Sequence, residues 1–550
     1  MTPSALAPLS RRGALQWAGA ASLAGLTGCC SMRPFATPVL TGEPPALGTP
    51  LKPVVRKAPG APALCIDAHT HFFNGTDVPV KGYLAGPVAH DLPAPLKQLA
   101  ELLAPLADEL VSIAPTAAQE FNDLVARFGS AALDGSRAGV SALSVAAVAD
   151  DRARRSEAFY RIVQGSEFER AYNAIKRNQR AEARSLMAAS ETRLLGPTSL
   201  AEAASAQDPG RREKSFKSFS LQQKRIVDAE PYADGLLAFV DHMLSPRWQN
   251  LRDYAAAYSS AADAFGIDVA LGALVDFDGW LDCPPRSAHD DQVKLHQLIS
   301  RLSGGYLRPL VAYNPWTDVK TGGAALARVR DAVTRRGFVG VKIYPPNGFY
   351  PSGNVTRTGP PERGPSYADL DRVLETLWET CTALGVPVMA HTNQSSGKDA
   401  AHDLLGGPPG WTALLARFGG RAEPPVNLGH FGGASNATDW TRQFADLMNQ
   451  PGGRRIYGDL GFWDALRCRD AGATDCTQAR QRLADALARG DAPRRVMYGT
   501  DWFMLSTQRD WADYPFELMA SLQGLPIAPA DFFGLNAQRC FASAALGAAP

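Results

Sequence analysis

Eight short apolar runs constrain this 550-residue chain more than any other feature. They lie at 64–72, 269–276, 307–313, 338–344, 386–392, 426–431, 456–462 and 496–501. Their lengths and compositions read as buried strands. Between most of them the spacing of apolar residues changes to steps of three and four, as in Ala324 to Arg335 and Tyr367 to Leu384, which predicts amphipathic helices. Short buried strands that alternate with helices imply parallel α/β architecture. Eight such units fit a (β/α)₈ TIM barrel, whose active site lies at the C-terminal ends of its strands.

Chemistry-bearing residues fall at those ends. The first run closes on His69-Thr70-His71. Residues two apart on a strand share a face, so both imidazoles point one way, a geometry that suits a divalent metal of the zinc class. Lys342 closes the fourth run, His391 the fifth, His430 the sixth and Asp501 the eighth. An ionisable group at the end of a buried strand is costly unless it is paired or ligated. Asn314, Tyr344 and Trp502 lie just past strand ends and are expected to line a substrate pocket, with Asp276, Asp278, Asn393, Gln394 and Phe503 as weaker candidates. For Asp459, at the end of the seventh run, structural hydrogen bonding and substrate contact are equally open.

This ordered set resembles the amidohydrolase superfamily of metal-dependent barrels. The segments Gly340-Val-Lys-Ile-Tyr-Pro-Pro346 and Gly499-Thr-Asp-Trp502 resemble its amidohydrolase-2 branch, which also contains decarboxylases. The resemblance implies a metal set drawn from His69, His71, Lys342, His391, His430 and Asp501. It gives Asp501 a second role, taking a proton from water and delivering it to the leaving group. His391 would hold the same ion or a neighbouring one. His430 would hold a second ion or polarise a substrate oxygen. Lys342 would be carboxylated and bridge two ions, or would bind a substrate carboxylate as a point charge. Zinc suits these ligands, and manganese or iron would fit too. The expected activity is hydrolysis of a C–O or C–N bond in a derivative of a small organic acid. Non-oxidative decarboxylation is the alternative, and a catalytically dead binding barrel is a third reading from a different class.

Residues 63–73 and 266–545 account for the barrel, and 74–265 for a large α-helical insertion between the first and second strands. Helical periodicity appears there at 96–110, 117–128, 156–195, 235–244 and 251–265, while 204–224 is polar and reads as a loop. The insertion is expected to cap the strand ends. Residues 1–30 resemble an export signal: Ser10-Arg11-Arg12 looks like a twin-arginine motif, and Leu26-Thr-Gly-Cys29 looks like a lipobox that would attach lipid to Cys29. Residues 31–62, rich in Pro, Ala and Gly, read as a tether. The expected location is the periplasmic face, anchored to a membrane. Export permits disulfides, and of 8 cysteines Cys468 and Cys476 form the best candidate pair, with Cys65 and Cys381 read as buried. With 56 basic and 55 acidic residues the formal net charge is +1, which gives no electrostatic reason to invoke nucleic acid. The expected partner is a small-molecule substrate.

Overall fold

The computed structural model describes residues 57–58, 60–88, 100–128, 145–171, 173–174, 233–260, 265–281, 284–418, 423–434, 439–468, 474–502, 504–508 and 510–541. The expected signal at 1–30, most of the tether at 31–62, the loop at 204–224, Cys283 and Phe503 lie outside the described residues.

The eight strands are β1 (Ile66–Thr70), β2 (Val269–Ala273), β3 (Leu307–Ala312), β4 (Gly340–Ile343), β5 (Val388–His391), β6 (Val426–Gly429), β7 (Ile456–Asp459) and β8 (Val496–Met497). Each pairs in parallel with the next in sequence order. The seam between β8 and β1 is closed by single bonds: Ala68 N to Tyr498 O (3.0 Å), Thr500 N to His69 O (3.2 Å) and His71 N to Trp502 O (2.5 Å). The fold is the expected (β/α)₈ barrel with a helical insertion after β1.

Ladders are shorter than the apolar runs that predict them, most of all at β8, where 496–501 contracts to two residues. Beyond Met497 the chain leaves the ladder and turns, reaching a positive φ of 51° at Asp501. A non-glycine residue in that region is uncommon and points to a local constraint. Here Asp501 N is tied to His69 O at 2.7 Å.

Alternation sorts the strand side chains. Val341, Ile343, Val388, Ala390 and Leu428 pack outward with the helices. Ile66, Ala68, Val269, Leu271, Leu310, Met389 and Met497 form a separate cluster with Ala537, Cys540 and Phe541 from the C-terminal helix. That second set, two residues apart on each strand, is the barrel interior, and it places Cys540 on the floor. Strict alternation from Ile66 and Ala68 would turn His69 outward. The β1–β2 register shifts between Asp67 and Thr70, and such an irregularity re-aims the residues that follow it. His69 and His71 therefore both reach the mouth.

The insertion contributes helices α1 (Ala117–Phe128), α2 (Val145–Val163), α3 (Ala233–Leu244) and α4 (Arg247–Ala255). The first of these matches its expected span, whereas α2 starts eleven residues before Ser156. Arg247 sits at the start of α4 and is fully buried. It bonds Asp77 after β1 (2.5 and 2.7 Å), Glu120 on α1 (2.9 Å), Thr76 Oγ1 (2.8 Å) and Ser287 Oγ (3.1 Å). Tyr254 on α4 donates to Asp67 Oδ2 on β1 (2.7 Å). His242 on α3 packs its ring 4.9 Å from Trp502. The insertion is thus fastened to the β1 and β8 side of the mouth.

The barrel helices include α5 (His289–Leu302), α6 (Ala324–Arg335), α7 (Tyr367–Leu384), α8 (Pro408–Phe418), α9 (Trp440–Met448) and α10 (Thr474–Leu487). Both α6 and α7 coincide with their predicted ranges. In α7 Ser366 and Asp369 form a reciprocal cap, which satisfies two otherwise orphaned N–H groups. Gly385, at φ 66°, ends it, because only glycine enters that region without a Cβ penalty. Cys468 and Cys476 are joined, with Cα atoms 5.2 Å apart, and Cys65 and Cys381 are buried thiols; all three readings match the expectation.

Candidate metal centre

His69 and His71 from β1 and Asp501 after β8 converge at the mouth, all three buried. The Nε2 atoms of both histidines lie 3.4 Å from Asp501 Oδ1. Ligand bonds of about 2.0–2.1 Å at near-tetrahedral angles put donor atoms about 3.3–3.4 Å apart, so this spacing is that of a shared ion.

Proton placement agrees with the spacing. His69 Nδ1 faces Asp459 Oδ1 at 2.9 Å, and His71 Nδ1 faces the Ala273 carbonyl at 2.7 Å. Both partners accept, so both Nδ1 atoms carry hydrogen, which turns both Nε2 atoms toward the mouth. His69 Nε2 is buried with no hydrogen-bond partner. Burial, reinforced by Lys342, pushes the His69 pKa well below its ordinary value, which keeps the ring neutral. Burial works against the charge on Asp501, but the facing His69 and His71 outweigh it and hold the carboxyl below its ordinary range. Two imidazole Nε2 atoms, one of them a buried orphan, and one carboxylate fit a divalent cation.

His391 and His430 form a relay beside this group. His430 Nδ1 donates to Gly461 O (2.9 Å), so its Nε2 accepts from His391 Nδ1 (3.0 Å). His391 Nε2 is left as a lone pair with only the Ser395 hydroxyl near it, at 3.4 Å. Burial lowers both pKa values, with His430 the next largest influence on His391. His391 thus keeps the lone pair a metal ligand needs, although it stands outside the three-donor cluster. His430 does not: both of its nitrogens are engaged within the protein. In this structure His430 stands between Gly461 and His391.

Lys342 points into the same space from β4. Its Nζ is buried without a hydrogen-bond partner. Burial lowers its pKa to about 8, with Asp501 and Asp459 pulling the other way. The Tyr344 ring lies tilted against that of His391, with centroids 4.7 Å apart.

Two residues expected to line the pocket have partners within the protein. Asn314 Nδ2 donates to Asp276 Oδ1 (3.0 Å) and Asp278 O (3.1 Å), while its Oδ1 accepts from Trp316 N (3.0 Å). It caps the helix Pro315–Lys320 and ties the loops after β2 and β3 together. Trp502 is fully buried, among Phe72, His242, Tyr254 and Trp511 with ring centroids 4.9–5.8 Å away. It joins barrel to insertion.

A second acidic group, Asp276, Asp278 and His289, also has ligand atoms close together. Burial opposes a charge on His289, but Asp276 and Asp278 raise its pKa to about 10, and Arg328 lies 3.8 Å from Asp276. The cations there belong to the protein, and the cluster is an ion-pair network. Sequence reading missed the roles of Asp67, Arg247, Tyr254, Ala273 O and Gly461 O, because each acts on a partner remote in the chain and carries no local motif.

The amidohydrolase family profile matches residues 308–542, from β3 to the last helix, so His69 and His71 lie outside the matched stretch. No curated protein sequence matches. Among solved structures, a protein assigned as 2-pyrone-4,6-dicarboxylic acid hydrolase from Pseudomonas putida is 17% identical and covers 53% of this chain and 86% of its own, with a TM-score of 0.34. A zinc-bound amidohydrolase from Burkholderia multivorans is 15% identical over 50% of this chain and 84% of its own, TM-score 0.32. 2,6-Dihydroxybenzoate decarboxylase from Rhizobium is 18% identical over 50% and 84%, TM-score 0.31. Residues 308–542 thus carry the match to the amidohydrolase family.

Proposed function

We propose that the chain hydrolyses a C–O or C–N bond in a small organic acid derivative, using one zinc ion per chain. The observation that carries the reading is Asp501 Oδ1 standing 3.4 Å from two imidazole nitrogens. His69, His71 and Asp501 would hold the ion, with the His391 lone pair as a fourth donor. Bound there, a divalent ion supplies Lewis-acid polarisation of a substrate oxygen and lowers the pKa of water to about 7. Asp501, ionised and adjacent, takes the proton from the attacking water as the new C–O bond forms. It then gives that proton to the departing oxygen or nitrogen as the scissile bond breaks. Lys342 binds the substrate carboxylate, since with a pKa of about 8 its ammonium form prevails at neutral pH. Tyr344 holds one face of the bound acid.

Metal content by elemental analysis, on wild type and Lys342→Ala, separates the forms of this reading. One ion per chain in both, with acid released from ester or lactone substrates, is the expected result. Two ions in wild type falling to one or none in the variant would make Lys342 a carboxylated bridge. Carbon dioxide release from carboxylic acids, without hydrolysis, would establish the decarboxylase in place of the hydrolase.

We further propose export and lipid attachment through Cys29. The disulfide Cys468–Cys476 supports an oxidising location. Full-length protein is expected in the membrane fraction, and Cys29→Ala is expected to move it to the soluble periplasmic fraction. An unchanged distribution would sink the anchor.

A further inference from the structure

Asp459, at the end of β7, is fully buried and accepts four hydrogen bonds. Oδ1 takes them from His69 Nδ1 (2.9 Å), His430 N (3.0 Å) and Gly461 N (2.9 Å), and Oδ2 from Asn427 Nδ2 (2.8 Å). One of these bonds acts on His69 itself. Two others act at one remove. Asp459 holds Gly461 by its N–H, and Gly461 by its carbonyl holds the His430 Nδ1 hydrogen. His430 in turn can only accept from His391 Nδ1. Asp459 also ties down the backbone at His430, where φ is 68° and the following Phe431 is at 44°, a conformation that persists only when its surroundings enforce it.

We propose that Asp459 is the positioning residue that sets proton placement on both sides of the metal centre. It acts directly on His69, and through Gly461 and His430 on His391, so that each ring carries its hydrogen on Nδ1. A carboxylate on the far nitrogen fixes the tautomer of a metal-binding histidine and strengthens it as a donor. A merely structural Asp459 would only satisfy buried N–H groups. The inference rests on the metal-centre reading above.

The two roles separate in a charge swap. Asp459→Asn keeps an acceptor oxygen toward His69 but opposes two amide N–H₂ groups at residue 427. The double variant Asp459→Asn with Asn427→Asp restores a carboxylate–amide pair with the donor reversed, at unchanged net charge, and leaves His69 facing a neutral amide. Zinc affinity is read by competition with a chromogenic chelator, folding by Tm of the metal-free protein, and the His69 tautomer by ¹⁵N NMR. The swap is expected to recover most of the Tm lost in the single variant. Its zinc affinity should stay roughly 10–100-fold below wild type, with His69 still protonated at Nδ1, where the amide oxygen accepts but no longer supplies a charge. Wild-type zinc affinity in the swap would overturn the proposal. Failure of the swap to fold would assign Asp459 to structure and overturn it as well. If wild type binds no zinc, the metal-centre reading falls first and this inference with it.

Discussion

Asp501→Asn is expected to lower kcat/KM by roughly 10³–10⁴-fold, the scale of a positioned general acid–base group in a metal site. The substitution keeps the shape of the side chain and removes its charge. It also turns N–H donors toward two imidazole nitrogens 3.4 Å away, so the amide can occupy the atoms an ion would need. Metal per chain should fall along with activity. The metal-free protein should lose some stability at neutral pH, since the site holds the Asp501 carboxyl below its ordinary range and so favours the charge that the variant removes. Steady-state kinetics, elemental analysis and the Tm of metal-free protein measure the three effects. Activity within tenfold of wild type would remove Asp501 from the chemistry. Lost activity with wild-type metal content would confine it to proton transfer.

The largest effect on stability is expected at Arg247. Removing one partner of a buried ion pair costs about 3–5 kcal/mol, because the opposite charge stays behind without compensation. Here Arg247→Ala abandons both Asp77 and Glu120 and vacates bonds to Thr76 and Ser287. Those partners come from the segment after β1, from α1 and from the approach to α5, so the loss is felt where insertion meets barrel. The cost follows from stranded charge as well as from lost packing. A variant that neutralises all three positions, Arg247→Ala with Asp77→Asn and Glu120→Gln, should therefore be less destabilised than the single one. Urea denaturation midpoints give the ordering. A single variant within ~1 kcal/mol of wild type would show that water reaches these carboxylates.

The readable part of the site was the part carried by strand ends. A buried strand shows itself as an apolar run, and a polar residue closing that run is conspicuous against it; His69, Lys342, His391 and Asp501 were found this way. Direction was less legible. Simple alternation predicts that His69 and His71 share a face, but which face depends on the register shift between Asp67 and Thr70, and register is a property of the pair of strands. The partners of Trp502 and Asn314 were illegible for a related reason. Both lie where a pocket wall would be, yet Trp502 is enclosed by rings from the insertion, and Asn314 is spent on a cap and on Asp276. Position along a strand does not reveal which neighbour will claim a side chain.

By itself, the sequence determined the barrel, the insertion point, the disulfide pair and the identity of the ionisable groups at the mouth, because hydrophobic periodicity and local propensity are written along the chain. Only the tertiary structure decided how protons are distributed among those groups. The Nδ1 partners are Asp459 for His69, Ala273 for His71 and Gly461 for His430, separated from them by 390, 202 and 31 residues. An imidazole carries the same atoms in any fold. Which nitrogen keeps its lone pair depends on the acceptor that reaches the other one, and the folded barrel alone brings that acceptor into place.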